Sequence, residues 1–140
     1  MKVALAIDGS NCSLRATKFA IELIDGREGT EVHVANVHAP VRYADLLSAE
    51  KRQLIEQWNR KSGEETTAAA RDMLAAATIP CQLHVVTGDP AAAIVTLARE
   101  LGCDLIVMGT RGLGAVAGLA LGSVATKVVH DADMPVLLVK

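Results

Sequence analysis

Gly109, Gly112, Gly122 and Ser123 stand in the spacing G-2x-G-9x-G-S, directly after the apolar run Leu105-Ile-Val-Met108. A buried strand that opens through a glycine-rich loop into a helix is the arrangement an α/β sheet uses to hold a phosphate group. Gly109 and Gly112 lack a Cβ, so the chain can take positive φ there and bring its N–H groups close to an anion. Ser123 is expected to be the N-cap of the following helix, with the free N–H groups of Val124 and Ala125 facing the same anion and the helix dipole behind them. Arg111 is the one cation of this loop. It reads equally as a solvated side chain or as a contact to outer phosphates. A Walker loop needs Lys directly before its Ser or Thr, and this loop has none, which disfavours a P-loop NTPase.

Other reactive residue types give weaker patterns. Asp8 ends the apolar run Val3 to Ile7, where a carboxylate can cap the next helix or face a ligand. A receiver domain would need more acids at this point and a phosphoacceptor Asp on a middle strand; only Asp8 is present. His33, His38, His84 and His130 lack metal-ligand spacing and read as surface or strand-end residues, with His38 nearest the expected crevice. No Ser-His-Asp or Cys-His arrangement is legible, and the loop offers neither Lys nor an acidic pair for two-metal phosphoryl transfer. Cys12, Cys81 and Cys103 are odd in number and form no CxxC, so they read as small buried hydrophobes in a reducing compartment.

Strands and helices alternate along the chain that must position these residues. Val3 to Ile7 reads as a central parallel strand, followed by a helix capped by Ser10, Asn11 or Ser13 with an apolar stripe of Ala16, Phe19, Ala20, Leu23 and Ile24. Glu31 to His38 is a second strand, with Val32, Val34 and Asn36 on one face and His33, Ala35 and Val37 on the other. A helical segment from Tyr43 to Trp58, with Leu47, Leu54 and Trp58 inward, is set apart by Gly63 from a stripe of Thr66, Ala69, Ala70, Met73, Leu74 and Ala77. Cys81 to Val86 alternates in the half-polar way of an edge strand. Asp89-Pro90 is an N-cap followed by proline at the first helical position, and Ile94, Leu97, Ala98 and Leu101 form that helix's buried face. Leu105 to Met108, a helix from Ser123 to about His130, and Val136 to Val139 complete the series. This alternation calls for an α/β fold, a parallel sheet with helices on both faces.

The loop spacing, the opening Val3-Ala-Leu-Ala-Ile-Asp8-Gly9-Ser10, the central Gly88-Asp89-Pro90-Ala91 and the terminal Met134-Pro-Val-Leu-Leu-Val139 together resemble the ATP-binding branch of the universal stress proteins. The likeness covers nearly all of residues 1–140, which are expected to form one universal stress protein domain; it is weakest between Ala39 and Gly63. It implies an adenine nucleotide alpha hydrolase-like fold, a single-domain open parallel five-stranded sheet in the order 3-2-1-4-5. Asp8 and the Gly109 loop would then face each other across the crevice where strand order reverses. The resemblance further implies phosphate and ribose contacts at Gly109, Gly112, Gly122, Ser123 and Val124. Met108 would border the nucleoside, Asp8 would bond ribose or adenine, and the Val37 main chain would contact adenine. Ala6 stands where relatives often have proline, a change of rigidity more than of chemistry.

Composition narrows the partners. At 140 residues the chain is one domain by length, large enough to bury roughly two-thirds of its unfolded surface. Lys and Arg number 14 against 16 Asp and Glu, which gives no electrostatic footprint for nucleic acid or an anionic membrane. The N-terminus reaches Asp8 too early for a signal peptide and no stretch has the apolar length of a membrane span, so a cytoplasmic protein is expected. The leading expectation is a stress-response regulator that binds ATP with Mg²⁺ on its phosphates and has a protein partner the sequence does not name. The alternatives are a slow ATPase or autophosphorylating enzyme, with Ser123 or Thr110 as acceptor, and a nucleotide-free interaction protein of the same fold. In the implied strand order the apolar segment Pro135 to Val139 is a sheet edge, so a homodimer built on it is also expected.

Overall fold

A computed structural model describes residues 1–113 and 121–140; most of the nine-residue spacer between Gly112 and Gly122 lies outside the described residues. The element order is β1 (Lys2–Ala6), α1 (Asn11–Ile24), β2 (Glu31–His38), a 3-10 turn (Ala44–Leu46), α2 (Ala49–Ala76), β3 (Cys81–Thr87), α3 (Pro90–Glu100), β4 (Leu105–Gly109), α4 (Ser123–Asp131) and β5 (Val136–Val139). The five strands form one sheet in the order β3-β2-β1-β4-β5. Every pairing is parallel, with Leu5 opposite both Val34 and Val107 and Ala6 opposite both Ala35 and Met108. Expected architecture and strand order are both present.

Two aliphatic layers sandwich the sheet. Val3, Leu5, Ile7, Val32, Val34 and Val107 pack with Ala16, Ala20 and Ile24 of α1 and Ala70 and Leu74 of α2 on one face. Ala4, Ala6, Ile106 and Met108 pack with Ala91, Ile94, Val95 and Ala98 of α3 and Ala125 and Val128 of α4 on the other. The period-2 alternation of each central strand assigns its residues to these layers. β3 and β5 are the sheet edges, and β5 is only partly buried along its whole length.

Three helical expectations need correction. α2 runs unbroken for 28 residues through Gly63. There the helix presses on the sheet so closely that an added Cβ would lie 2.5 Å from Val85 Cγ2 and 3.1 Å from Asn36 Oδ1, so the glycine serves approach and not termination. The inward face of α2 is Asn59, Gly63, Thr67, Ala70 and Leu74, whereas Leu54 and Trp58, before that face begins, are 64% and 66% exposed. Phe19 is 41% exposed; the small residues Ala16 and Ala20 take the contact with the strands.

Candidate functional site

A crevice of about 420 Å³ opens at the carboxyl ends of β1 and β4, where the strand order reverses direction. All eleven residues singled out from the sequence line it. Ala6, Val37 and Met108 form part of an apolar wall, and Asp8, Gly109, Arg111 and Gly112 lie across the crevice floor and mouth. Gly122, Ser123, Val124 and Ala125 bring the first turn of α4 to the same space. The sequence reading missed several neighbours. Ala35, Pro90 and Ile94 extend the apolar wall, Ile7 and Ser13 lie deeper, and Leu113 and Leu121 flank the loop ends; Thr110, named from the sequence as a possible phosphoacceptor, also lines the crevice. Ile94 had a legible signal as the inward face of α3, but only the crossing of α3 over the sheet puts it at the crevice.

The glycines work through space. Neither Gly109 nor Gly112 has positive φ, contrary to the expectation, nor does Gly122; among the described residues the glycines that do are Gly9, Gly26, Gly29 and Gly102. A Cβ on Gly112 would run into Asp8 Oδ2. One on Gly109 would lie 3.0 Å from Cys12 Cβ and Sγ at the start of α1, and one on Gly122 would lie 3.4 Å from the Thr110 carbonyl oxygen. Side chains at Gly109 and Gly112 would thus displace their neighbours, whereas one at Gly122 would make ordinary contacts.

Asp8 is fixed at both oxygens. Oδ1 accepts from Ser10 N–H at 2.9 Å and Oδ2 accepts from Leu113 N–H at 3.2 Å. The cap of α1 is Ser10, whose Oγ accepts from Ser13 N–H at 3.1 Å, so Asp8 is not the helix cap. At α4 the extended residue before the helix is Gly122, with φ −73° and ψ 161°. Ser123 is thus the first helical residue and not the N-cap, and among the described residues no side chain caps α4. Asp89 does cap α3, accepting from Ala92 N–H at 3.2 Å, with Pro90 beginning the helix. That hydrogen bond, with Lys127 3.4 Å away, holds the Asp89 carboxyl below its ordinary value.

Beneath the loop lies Cys12, 7% exposed, its Sγ donating to the Val139 carbonyl at 3.1 Å and lying 3.7 Å from Thr110 Oγ1. Burial pushes this thiol up, but hydrogen bonds from Arg111 and Thr110, with Arg15 nearby, together outweigh it and bring the thiol below its ordinary value. Cys81 and Cys103 are pushed up by burial, and all three cysteines are free thiols.

One histidine expectation changes. His38, at the end of β2 as expected, borders a separate depression with Trp58, ring centroids 6.2 Å apart. His33 is buried, and its Nδ1 lies 3.1 Å from Nε2 of His84 on the neighbouring strand. Parallel pairing of β2 and β3 creates this contact, which spacing along one chain does not display.

The arrangement fits a nucleotide phosphate. Gly109, Gly112 and Gly122 adjoin the N-terminus of the nine-residue α4, which has no side-chain cap among the described residues, and an apolar wall beside it suits a base. No group of three or more potential metal ligands exists among the described residues; Asp8 is the carboxylate that lines the crevice. Among the described residues, no helix is long and apolar enough to cross a membrane.

The family model for the universal stress protein family matches residues 1–140, and the chain belongs to that family. A universal stress protein of Thermus aquaticus is 36% identical over 139 residues, covering 99% of this chain and 97% of its own. A universal stress protein solved in complex with cAMP is 28% identical with a TM-score of 0.65, covering 100% of this chain and 96% of that one. Another, from Archaeoglobus fulgidus and in complex with dAMP, is 25% identical with a TM-score of 0.66, covering 100% and 98%. The sheet order and flanking helices are those of the adenine nucleotide alpha hydrolase-like fold.

Proposed function

We propose that this universal stress protein binds an adenine nucleotide in the β1–β4 crevice, and that the physiological ligand is ATP with Mg²⁺ on its phosphates. The observation that carries this reading is the meeting, in one crevice, of Gly109, Gly112 and Gly122 with the N-terminus of α4, which no side chain caps among the described residues. The phosphates lie along that loop against Ser123, Val124 and Ala125, and the base lies against Ala6, Val37 and Met108. Similar proteins solved with cAMP and dAMP support an adenine nucleotide. ATP rests on the resemblance to the ATP-binding branch and on Arg111 at the crevice mouth, suited to outer phosphates.

The protein then acts as a cytoplasmic, nucleotide-dependent regulator in a stress response, signalling to a protein partner through the state of the loop. Residues 1–140 form one domain, which pairs with a second copy through β5. Between the two hydroxyls considered for autophosphorylation, Ser123 is exposed whereas Thr110 is 5% exposed beneath the loop, so Ser123 is the acceptor if transfer occurs. Mass analysis of small molecules released on denaturing the purified protein tests the reading directly. An adenine nucleotide near equimolar with protein is expected. Protein that carries none, and that gives no heat of binding with ATP or AMP, rules the reading out. Single-turnover incubation with labelled ATP separates binding from hydrolysis or transfer.

A further inference from the structure

The charge balance of the crevice is nearly neutral. Among the described residues that line it, Asp8 and Arg111 are the only charged ones, and the sequence of residues 114–120, Gly-Ala-Val-Ala-Gly-Leu-Ala, adds none. Lys127, the next cation along the chain, is engaged with Asp89 at 3.4 Å. Asp8 is also placed against the loop itself. Its Oδ2 occupies the position that a Gly112 side chain would take and accepts the Leu113 N–H, the type of donor a phosphate oxygen would otherwise use. Its Oδ1 is held by Ser10 N–H, which ties the carboxylate to the start of α1 and opposes its swinging away. The protein has thus put an anion of its own on the phosphate-binding loop.

We infer that Asp8 is a specificity-determining residue that selects nucleotides by phosphate charge. Metal-free nucleoside triphosphate is disfavoured against monophosphate, and a triphosphate is accepted only with a divalent cation bound to it. The inference deepens the adenine-nucleotide reading and rests on it. The physical ground is that each added phosphoryl group brings more negative charge towards a fixed carboxylate that Arg111 alone offsets. Arg111 is itself exposed, where solvent weakens its attraction. A divalent cation bound to the phosphates would offset their charge and so reduce the repulsion, with the Asp8 carboxylate a further hard oxygen ligand within the crevice.

AMP and ATP share base and ribose, so their affinity ratio isolates the phosphate tail. Calorimetric titrations of the full chain with AMP, with ATP in EDTA and with ATP in excess Mg²⁺ are compared for the wild type and for Asp8→Asn, which keeps the Oδ1 acceptor and removes the charge. The wild type is expected to bind AMP at least about ten-fold more tightly than metal-free ATP, the low end of what a nearby like charge costs at a partly shielded site. Mg²⁺ should close that gap. In Asp8→Asn the gap should shrink without Mg²⁺. Should that variant not fold, Arg111→Gln should widen the gap, and the Mg²⁺ dependence of wild-type ATP affinity stands as a second measurement. Equal wild-type affinities for AMP and metal-free ATP, or a ratio unchanged in Asp8→Asn, overturn the inference while leaving nucleotide binding intact. Failure of every nucleotide to bind overturns the underlying reading instead.

Discussion

The Gly122 N–H donates to the Thr110 carbonyl at 2.7 Å, which draws the residue before α4 back to the residue after β4. Thr110 N–H in turn donates to the Val139 carbonyl at 2.8 Å, so the loop entrance is anchored to the last strand. The two ends of the proposed phosphate loop are therefore held by main-chain bonds that do not depend on a ligand.

Because the anchors are main-chain bonds, substitutions at the loop glycines should damage binding more than folding. Gly112→Val places a branched side chain against the Asp8 carboxylate, and Gly122→Val puts one at the start of α4, where an added Cβ makes only ordinary contacts with the Thr110 carbonyl and Arg111 Cα at 3.4 and 3.5 Å and the branch takes space proposed for phosphate. Each should weaken nucleotide binding by more than about ten-fold, roughly 1.4 kcal/mol. Circular dichroism should stay native. Calorimetry on the folded variants provides the check, and unchanged affinity removes the loop from the site.

Gly63→Ala sets helix propensity against packing. Alanine in a helix interior gains about 1 kcal/mol over glycine. At this position, however, the new methyl would meet Val85 Cγ2 at 2.5 Å, and a β-branched side chain has little rotamer freedom with which to yield. Overpacking typically costs about 1–3 kcal/mol, so net destabilisation of about 1 kcal/mol is expected. Urea unfolding measures it. Adding Val85→Ala to Gly63→Ala should recover part of the loss relative to Val85→Ala alone, since the clash partner is gone.

The His33–His84 contact makes stability pH-dependent. Burial, followed by the proximity of His33, holds His84 below the ordinary value of 6.5. The unfolded chain thus takes up a proton at a pH where the folded one does not. This contribution is fully present above about pH 6.5 and is lost as pH falls from there through the depressed folded value. His84→Gln should flatten the profile below neutrality in urea unfolding from pH 5 to 8. An identical slope in the variant would assign the pH dependence to other groups.

Dimerisation through β5 predicts that Leu137→Lys lowers the molecular mass measured by light scattering at a given concentration. The edge strand is apolar and partly exposed throughout, and an antiparallel copy would pair its free main-chain groups while covering its side chains. A charge in that seam has no partner among its apolar neighbours. A wild-type monomer, or a dimer insensitive to the substitution, excludes this interface.

Local signals in the sequence determined the elements and much of the site. Apolar runs marked β1 and β4, Asp89-Pro90 marked the start of α3, and the glycine spacing marked the loop, because each depends on residues adjacent along the chain. Strand order came from the family likeness, since periodicity is silent about which strands pair. Only the tertiary structure decided what the glycines are for. Gly112 makes room for Asp8, 104 positions earlier, and Gly63 makes room for Val85 on another element. Neither requires positive φ, so no local rule reveals the need. The same holds for Asp8 as the Leu113 acceptor in place of helix cap and for the His33–His84 pair. These are contacts between strands, or between a strand end and a loop, and packing in three dimensions alone determines them.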